Sequence, residues 1–230
     1  MMQELIIFGA SGELGTIVSN SFIKGKYNKV YLIVSRTINI KPSKKVILIN
    51  SGDLTNELGV IEVFKRIRPS KKKLVFLFSA VGGYVGGNLI WDESISNLHM
   101  MLNKNLITNF LILKHFALLV QKCLGGAAVF TSAYTSLSPN ENNSVYGLSK
   151  SALNYLIKVA SVEGKSINMS VNGIAPYIIN TETNNSWFSG DKNEIINPKE
   201  IAEFVENIFN NSNIINGNII SMPFRLKNLK

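Results

Sequence analysis

The opening of the chain restricts its fold more than any other stretch. Leu5-Ile6-Ile7-Phe8 is a short continuous apolar run, the pattern of a strand buried on both faces of a parallel sheet. It runs directly into Gly9-Ala10-Ser11-Gly12-Glu13-Leu14-Gly15, and then into apolar residues at helical spacing: Leu14, Ile17, Val18, Phe22 and Ile23. A strand that turns this tightly into a helix brings unpaired helix N–H groups to the strand end, where they favour an anion. The glycines permit the tight turn and let backbone approach a diphosphate closely. The spacing is G-x-x-G-x-x-G rather than G-x-G-x-x-G.

The same alternation continues. Apolar runs at 30–34, 46–49, 74–78, 127–130, 171–175 and 218–222 read as further strands, separated by helical patterns. The longest helical pattern covers 98–119. Asn197-Pro198-Lys199-Glu200 reads as a helix start, with Asn as cap and Pro in the first turn. Strands alternating with helices predict one α/β domain over residues 1–230: a single-domain Rossmann fold, a doubly wound parallel sheet of about seven strands flanked by helices. There is no internal repeat, linker or low-complexity segment.

Chemistry concentrates in Ser144-Val145-Tyr146-Gly147-Leu148-Ser149-Lys150. Helical periodicity puts Tyr146 and Lys150 on one face, a turn apart. A free phenol ionises near 10, too high for proton transfer near neutrality. An ammonium one turn away is expected to lower that value and to hold a hydroxyl-bearing ligand. The second strand ends in Ser35-Arg36. A hydroxyl and a guanidinium there favour a 2′-phosphate over a bare ribose, so NADP(H) is expected over NAD(H); a surface arginine is the alternative. Asp53 either meets an adenine amino group or caps the next helix. Gly82-Gly83-Tyr84-Val85-Gly86-Gly87-Asn88 reads as a mobile loop, and Tyr84 either stacks on a ring substrate or is an ordinary loop tyrosine. Asn105, among Leu102, Leu106 and Phe110, is hydrogen-bonded structurally or holds a water. The polar segment 178–197, with Trp187 and Phe188, reads as a lid over a substrate.

Composition narrows the alternatives. Hydrophobic residues make up 46% of the chain and charged residues 17%, as in a soluble enzyme. No apolar run is long enough to cross a membrane, and residues 1–4 lack the features of a secretory signal. The lone Cys123 excludes an internal disulfide, and neither it nor His99 and His115 suggests a metal site; a cytoplasmic location is expected. The net charge of +9 suggests an anionic partner. Its runs (Lys44-Lys45, Lys71-Lys72-Lys73 and the tail 225–230) are short and carry no interleaved aromatics, so neither nucleic acid nor a membrane is expected as partner.

Taken together, the glycine turn, Asn105, Ser132, Tyr146-x-x-x-Lys150 and Pro176 with Thr181 resemble the short-chain dehydrogenase/reductase family, in the family's order and over nearly the whole chain. The resemblance implies an NAD(P)H-dependent oxidoreductase interconverting a carbonyl (or C=N) and its reduced form. Tyr146 would be the general acid/base, with Lys150 tuning it and holding the nicotinamide ribose. Ser132 would bond the substrate oxygen and Asn105 would orient a water. Cofactor contacts are expected from Gly9, Ser11, Gly12, Leu14 and Gly15, from Ser35 and Arg36, and from Asp53 and Leu54. Ser79, Ala80 and Gly82, then Tyr146 and Lys150, and finally Pro176, Ile179 and Thr181 complete that set. Tyr84 and Trp187 are substrate candidates for a small molecule, and a homodimer or homotetramer is implied. Departures are visible: Ser79-Ala80-Val81-Gly82 stands for the family's Asn-Asn-Ala-Gly, and Pro176-Tyr177 for Pro-Gly. The loop 82–88 resembles that of dihydropteridine reductases, a narrower reading that Ser132 and Ser35-Arg36 do not favour. A catalytically silent NADPH sensor is the reading from another class.

Overall fold

The computed structural model describes residues 1–191 and 194–224; the basic tail 225–230 lies outside them. In chain order the elements are β1 (Met2–Phe8), α1 (Glu13–Lys24), β2 (Lys29–Val34), β3 (Val46–Asn50), α2 (Glu57–Phe64) and β4 (Lys73–Ser79). There follow α3 (Ile95–Met101), a π turn (Leu102–Ile107), α4 (Thr108–Val120), β5 (Gly125–Thr131), α5 (Ser144–Glu163), β6 (Met169–Pro176), α6 (Glu182–Trp187), α7 (Pro198–Asn210) and β7 (Ile219–Met222). The strands form one parallel sheet in the order β3-β2-β1-β4-β5-β6-β7. Each predicted strand is present, and the fold is the expected Rossmann-like domain.

Parallel strands need helical crossovers, so both faces of the sheet are covered. Ile6 and Phe8 of β1 point to one face and join Phe116, Phe130, Leu153 and Ile157 under α2, α4 and α5. Leu5 and Ile7 point to the other and join Phe22, Phe78 and Phe209 under α1 and α7. Period-two alternation with apolar side chains in both phases is what produces two cores. The strand order reverses direction between β1 and β4, which opens a crevice at their carboxyl ends.

That crevice is floored by the glycine turn. Gly9 has φ +76°, and a Cβ on Gly15 would stand 2.0 Å from the Gly9 carbonyl oxygen. Ala10 N donates to Ile33 O at 3.1 Å and Ala80 N to Phe8 O at 3.0 Å, fastening the turn to β2 and to the end of β4. The capping box expected at Asn197 and Glu200 is present at the start of α7.

One helix departs from expectation. The stretch 98–119 is interrupted by the π turn, which inserts an extra residue at Asn105. Asn109 Nδ2 donates to the Asn105 carbonyl at 2.8 Å and Thr108 Oγ1 to the Asn103 carbonyl at 2.9 Å, so side chains take carbonyls at the break.

Gly15→Ala is expected to force the turn apart and lower unfolding free energy by about 3 kcal/mol, the upper part of the overpacking range. Denaturant titration checks this; an unchanged midpoint contradicts the close contact.

Candidate active site

α5 carries the candidate residues Tyr146 and Lys150. Tyr146 and Lys150 lie a turn apart at its start and line a cavity of about 510 Å³ at the carboxyl ends of β4, β5 and β6. Lys150 is 3% exposed, and its Nζ donates to the Thr131 carbonyl at 2.8 Å. Burial lowers its pKa to about 8. The Tyr146 phenol is pushed up to about 12, first by burial and then by the neighbouring Tyr84 phenol. The expected lowering of Tyr146 by Lys150 is therefore not met. Desolvation outweighs the amine, whose hydrogen bond goes to a backbone carbonyl.

Asn105 is fully buried and clamps the glycine loop: Oδ1 accepts from Gly83 N at 2.8 Å, and Nδ2 donates to Gly83 O and to Ser149 Oγ, both at 3.0 Å. Its side chain takes the structural option rather than pointing a free group at a water. Gly82 sits against the same pair, where an added Cβ would meet Asn105 Oδ1 at 2.8 Å and Lys150 Nζ at 3.0 Å. Further along, Tyr84 OH donates to Asn143 Oδ1 at 2.9 Å and Gly87 N to Asn142 O at 2.8 Å. The loop expected to be mobile is thus tethered at three points. It carries the Tyr84 ring edge-on to Tyr146, 5.0 Å between centroids.

Ser132 also lines the cavity, but its hydroxyl donates to Asn154 Oδ1 at 2.5 Å. Asn154 Nδ2 donates to Ser136 Oγ at 2.8 Å, and Ser136 Oγ donates to the Ala133 carbonyl at 2.5 Å. Trp187 lines the opposite wall and packs edge-on to Phe188.

At the glycine turn, α1 begins at Gly12 with no side-chain cap, so its first-turn N–H groups lack a side-chain partner. Ser35 N donates to Ser11 Oγ at 3.1 Å, and Arg36 Nε donates to the Ser11 carbonyl at 3.0 Å. Serine hydroxyls and a guanidinium thus stand together at the end of β2. Leu14 and Ala80 pack on the core of the α1 face and Leu54 on the other. Ser79 Oγ donates to Asn109 Oδ1 at 2.7 Å, which makes it a structural hydroxyl. Asp53 accepts from Thr55 N and Oγ1 at 2.9 and 2.7 Å in the turn before α2, but it is not the cap expected of it: α2 begins at Glu57, and Asn56 caps it by accepting from Leu58 N. Pro176 ends β6; Ile179 bridges to Ile196, and Thr181 caps α6. Sequence reasoning missed Glu13, whose carboxylate accepts from Thr183 N at 3.2 Å and Oγ1 at 2.5 Å and ties the segment after β6 to the glycine turn.

The family model for short chain dehydrogenases matches residues 3–192. The chain belongs to that family. Membership places this short chain dehydrogenase among the NAD(P)-dependent oxidoreductases. Its fold is shared with ElxO with NADP bound, 24% identical with a TM-score of 0.84 over 96% of this chain and 97% of that one. A short chain dehydrogenase family protein from Francisella tularensis is 21% identical with a TM-score of 0.79 over 96% and 97%. Ligand-free aldohexose dehydrogenase from Thermoplasma acidophilum is 18% identical with a TM-score of 0.79 over 96% and 92%. No curated protein matches the chain. Among the described residues no helix is long and apolar enough to cross a membrane, and no cluster of potential metal ligands occurs.

The buried amine gives this short chain dehydrogenase a defined pH signature. Lys150 ionises near 8 in the folded protein against 10.5 for the free group, so the unfolded chain binds the extra proton between those values. Its contribution to stability therefore rises with pH across that window and is at its most unfavourable below it. Tyr146, Tyr27 and Tyr31, all raised, act in the opposite sense above pH 10. Lys150→Met is expected to lose about 1–2 kcal/mol of the stability gain between pH 7 and 9.5. Denaturation at the two pH values measures it; equal gains in variant and parent contradict a depressed amine.

Proposed function

We propose that this protein reduces a small carbonyl compound with NADPH, using Tyr146 as the proton donor. One observation carries the reading: a half-buried phenol and a buried amine on one helix face open together onto a cavity beside the crevice of a dinucleotide-binding fold. The residues present fit the cofactor. Glycines at 9 and 15 leave no room for a Cβ, and the uncapped start of α1 suits a diphosphate. Arg36, steadied by Ser11, suits a 2′-phosphate.

Bound NADPH supplies the hydride. Tyr146 keeps its proton throughout the neutral range, because its pKa lies near 12, and releases it only to an oxygen that becomes basic as it gains charge. Lys150, close to Gly82, would hold a hydroxyl of the cofactor ribose. Asn105 holds the Gly83 backbone and with it the loop that carries Tyr84 over the site. The aromatic groups Tyr84, Tyr177, Trp187 and Phe188 around the cavity favour a planar substrate, and a quinonoid pterin is the narrower reading of that preference. The exposed apolar residues Phe110, Leu118, Leu148, Tyr155 and Val162 on α4 and α5 support pairing of two copies through these helices.

Tyr146→Phe is expected to lower NADPH oxidation about a thousandfold on a panel of small carbonyls and quinonoid dihydropterin, with little change in NADPH affinity. Retained turnover refutes the role, and binding without turnover by the parent protein on every probe favours a silent sensor. Arg36→Ala is expected to weaken NADPH binding roughly 10- to 100-fold and to leave NADH binding almost unchanged. Fluorescence titration with both cofactors checks this, and an equal loss for both cofactors contradicts it.

A further inference from the structure

We propose that the amino edge of the sheet, opposite the candidate active site, docks on an anionic lipid bilayer. Along the sequence the net charge of +9 falls into short runs that point to no polyanion by themselves. The fold brings them together. A parallel sheet starts every strand at one edge, so the loops that enter the strands are gathered there. Five of these entries carry exposed cations: Lys29 opens β2, Lys44 precedes β3, Arg68 and Lys72 precede β4, Lys122 precedes β5 and Lys165 precedes β6. Hydrogen bonds hold the loops side by side. Lys45 Nζ donates to the Gly25 carbonyl at 2.7 Å, Lys71 Nζ to the Gln121 carbonyl at 2.7 Å, and Leu124 N to the Lys73 carbonyl at 3.0 Å. Adjacent strands lie about 4.8 Å apart, so the basic edge from β3 to β6 is about 24 Å wide.

Lysines near helix ends commonly serve only to satisfy carbonyls, as Lys45 and Lys71 do here. The side chains of the six cations named above make no such bond, and among the described residues no ion pair reaches them. Acids at this edge are few. Glu4 is buried against Lys73, Glu62 pairs with Lys65, and Glu163 and Glu206 are the others near it. Two observations select a bilayer among polyanions. Exposed apolar side chains stand among the cations: Met2 at the start of β1, Leu124 before β5 and Ile214 before β7, 44%, 41% and 76% exposed. Such groups have no partner on a phosphate backbone, but they enter the headgroup region of a bilayer beside a basic surface. Among the described residues no exposed aromatic ring stands at this edge for bases to stack on. The cavity lined by Tyr146 and Lys150 opens at the other end of the strands, so docking leaves its mouth in solvent.

Co-flotation with vesicles tests the proposal, using phosphatidylcholine alone and phosphatidylcholine with about 30% phosphatidylglycerol. Retention is expected on the anionic vesicles and not on the neutral ones, with at least about a tenfold loss when salt rises from about 50 to about 500 mM. The combined variant Lys29→Glu, Arg68→Glu, Lys72→Glu and Lys122→Glu is expected to lower retention at least about 100-fold with little change in melting temperature. If charge reversal lowers the melting temperature, glutamine at the same four positions gives a smaller loss in the same direction. Leu124→Ser with Ile214→Ser is expected to lower retention about tenfold, a loss that persists at high salt. No retention on anionic vesicles, equal retention on neutral ones, or full retention by the folded charge variants overturns the proposal. Binding of an RNA of about 20 nucleotides without binding of vesicles also overturns it and assigns the edge to nucleic acid.

Discussion

A buried amine constrains this site more than any other group. Lys150 has its Nζ on the Thr131 carbonyl, with Gly82 pressed against it and Asn105 immediately beyond. A cation in that position is desolvated, and its pKa falls accordingly. The surroundings are arranged around it. Gly82 has to lack a Cβ, and Asn105 holds the next residue by both backbone groups. Asn109 in turn takes the Asn105 carbonyl and the Ser79 hydroxyl. These contacts tie α5 to the π turn, to the loop after β4 and to the end of β5, so this helix is fixed relative to the strand ends.

The glycine-turn half of the crevice depends on a different constraint, close approach of backbone. Gly15 meets the Gly9 carbonyl where no side chain fits, and the first turn of α1 is left without a side-chain cap. Glu13 extends from that turn to Thr183 and so joins the glycine loop to the segment bearing Trp187. The two halves of the site therefore share a mechanical connection as well as the sheet beneath them.

Much of this was legible in the sequence. Strands buried on both faces leave continuous apolar runs, and every predicted strand is present in the sheet. Tyr146 and Lys150 were placed together by helical spacing alone. The unread features depend on contacts between distant segments. The π turn adds one residue within an apolar pattern that still looks periodic, so Asn105 reads as an ordinary helix position. The contacts of Ser132 with Asn154 and Ser136 join segments that only the folded chain brings together. The Tyr146 pKa was expected to fall because an amine lay one turn away, but proximity along a helix does not reveal how much water is excluded. Asp53 reads from sequence as a possible helix cap, but α2 begins at Glu57 and Asn56 takes that place, leaving Asp53 bonded to Thr55 in the turn before it.

The central physical claim is that burial keeps Tyr146 a protonated phenol that ionises well above an ordinary tyrosine. Its most direct measurement is the ionisation of that one phenol, followed by NMR of ring-labelled tyrosine with Tyr146→Phe as the assignment control. Ionisation near 12 is the predicted result. A phenol that ionises near 10, as a free tyrosine does, would contradict it.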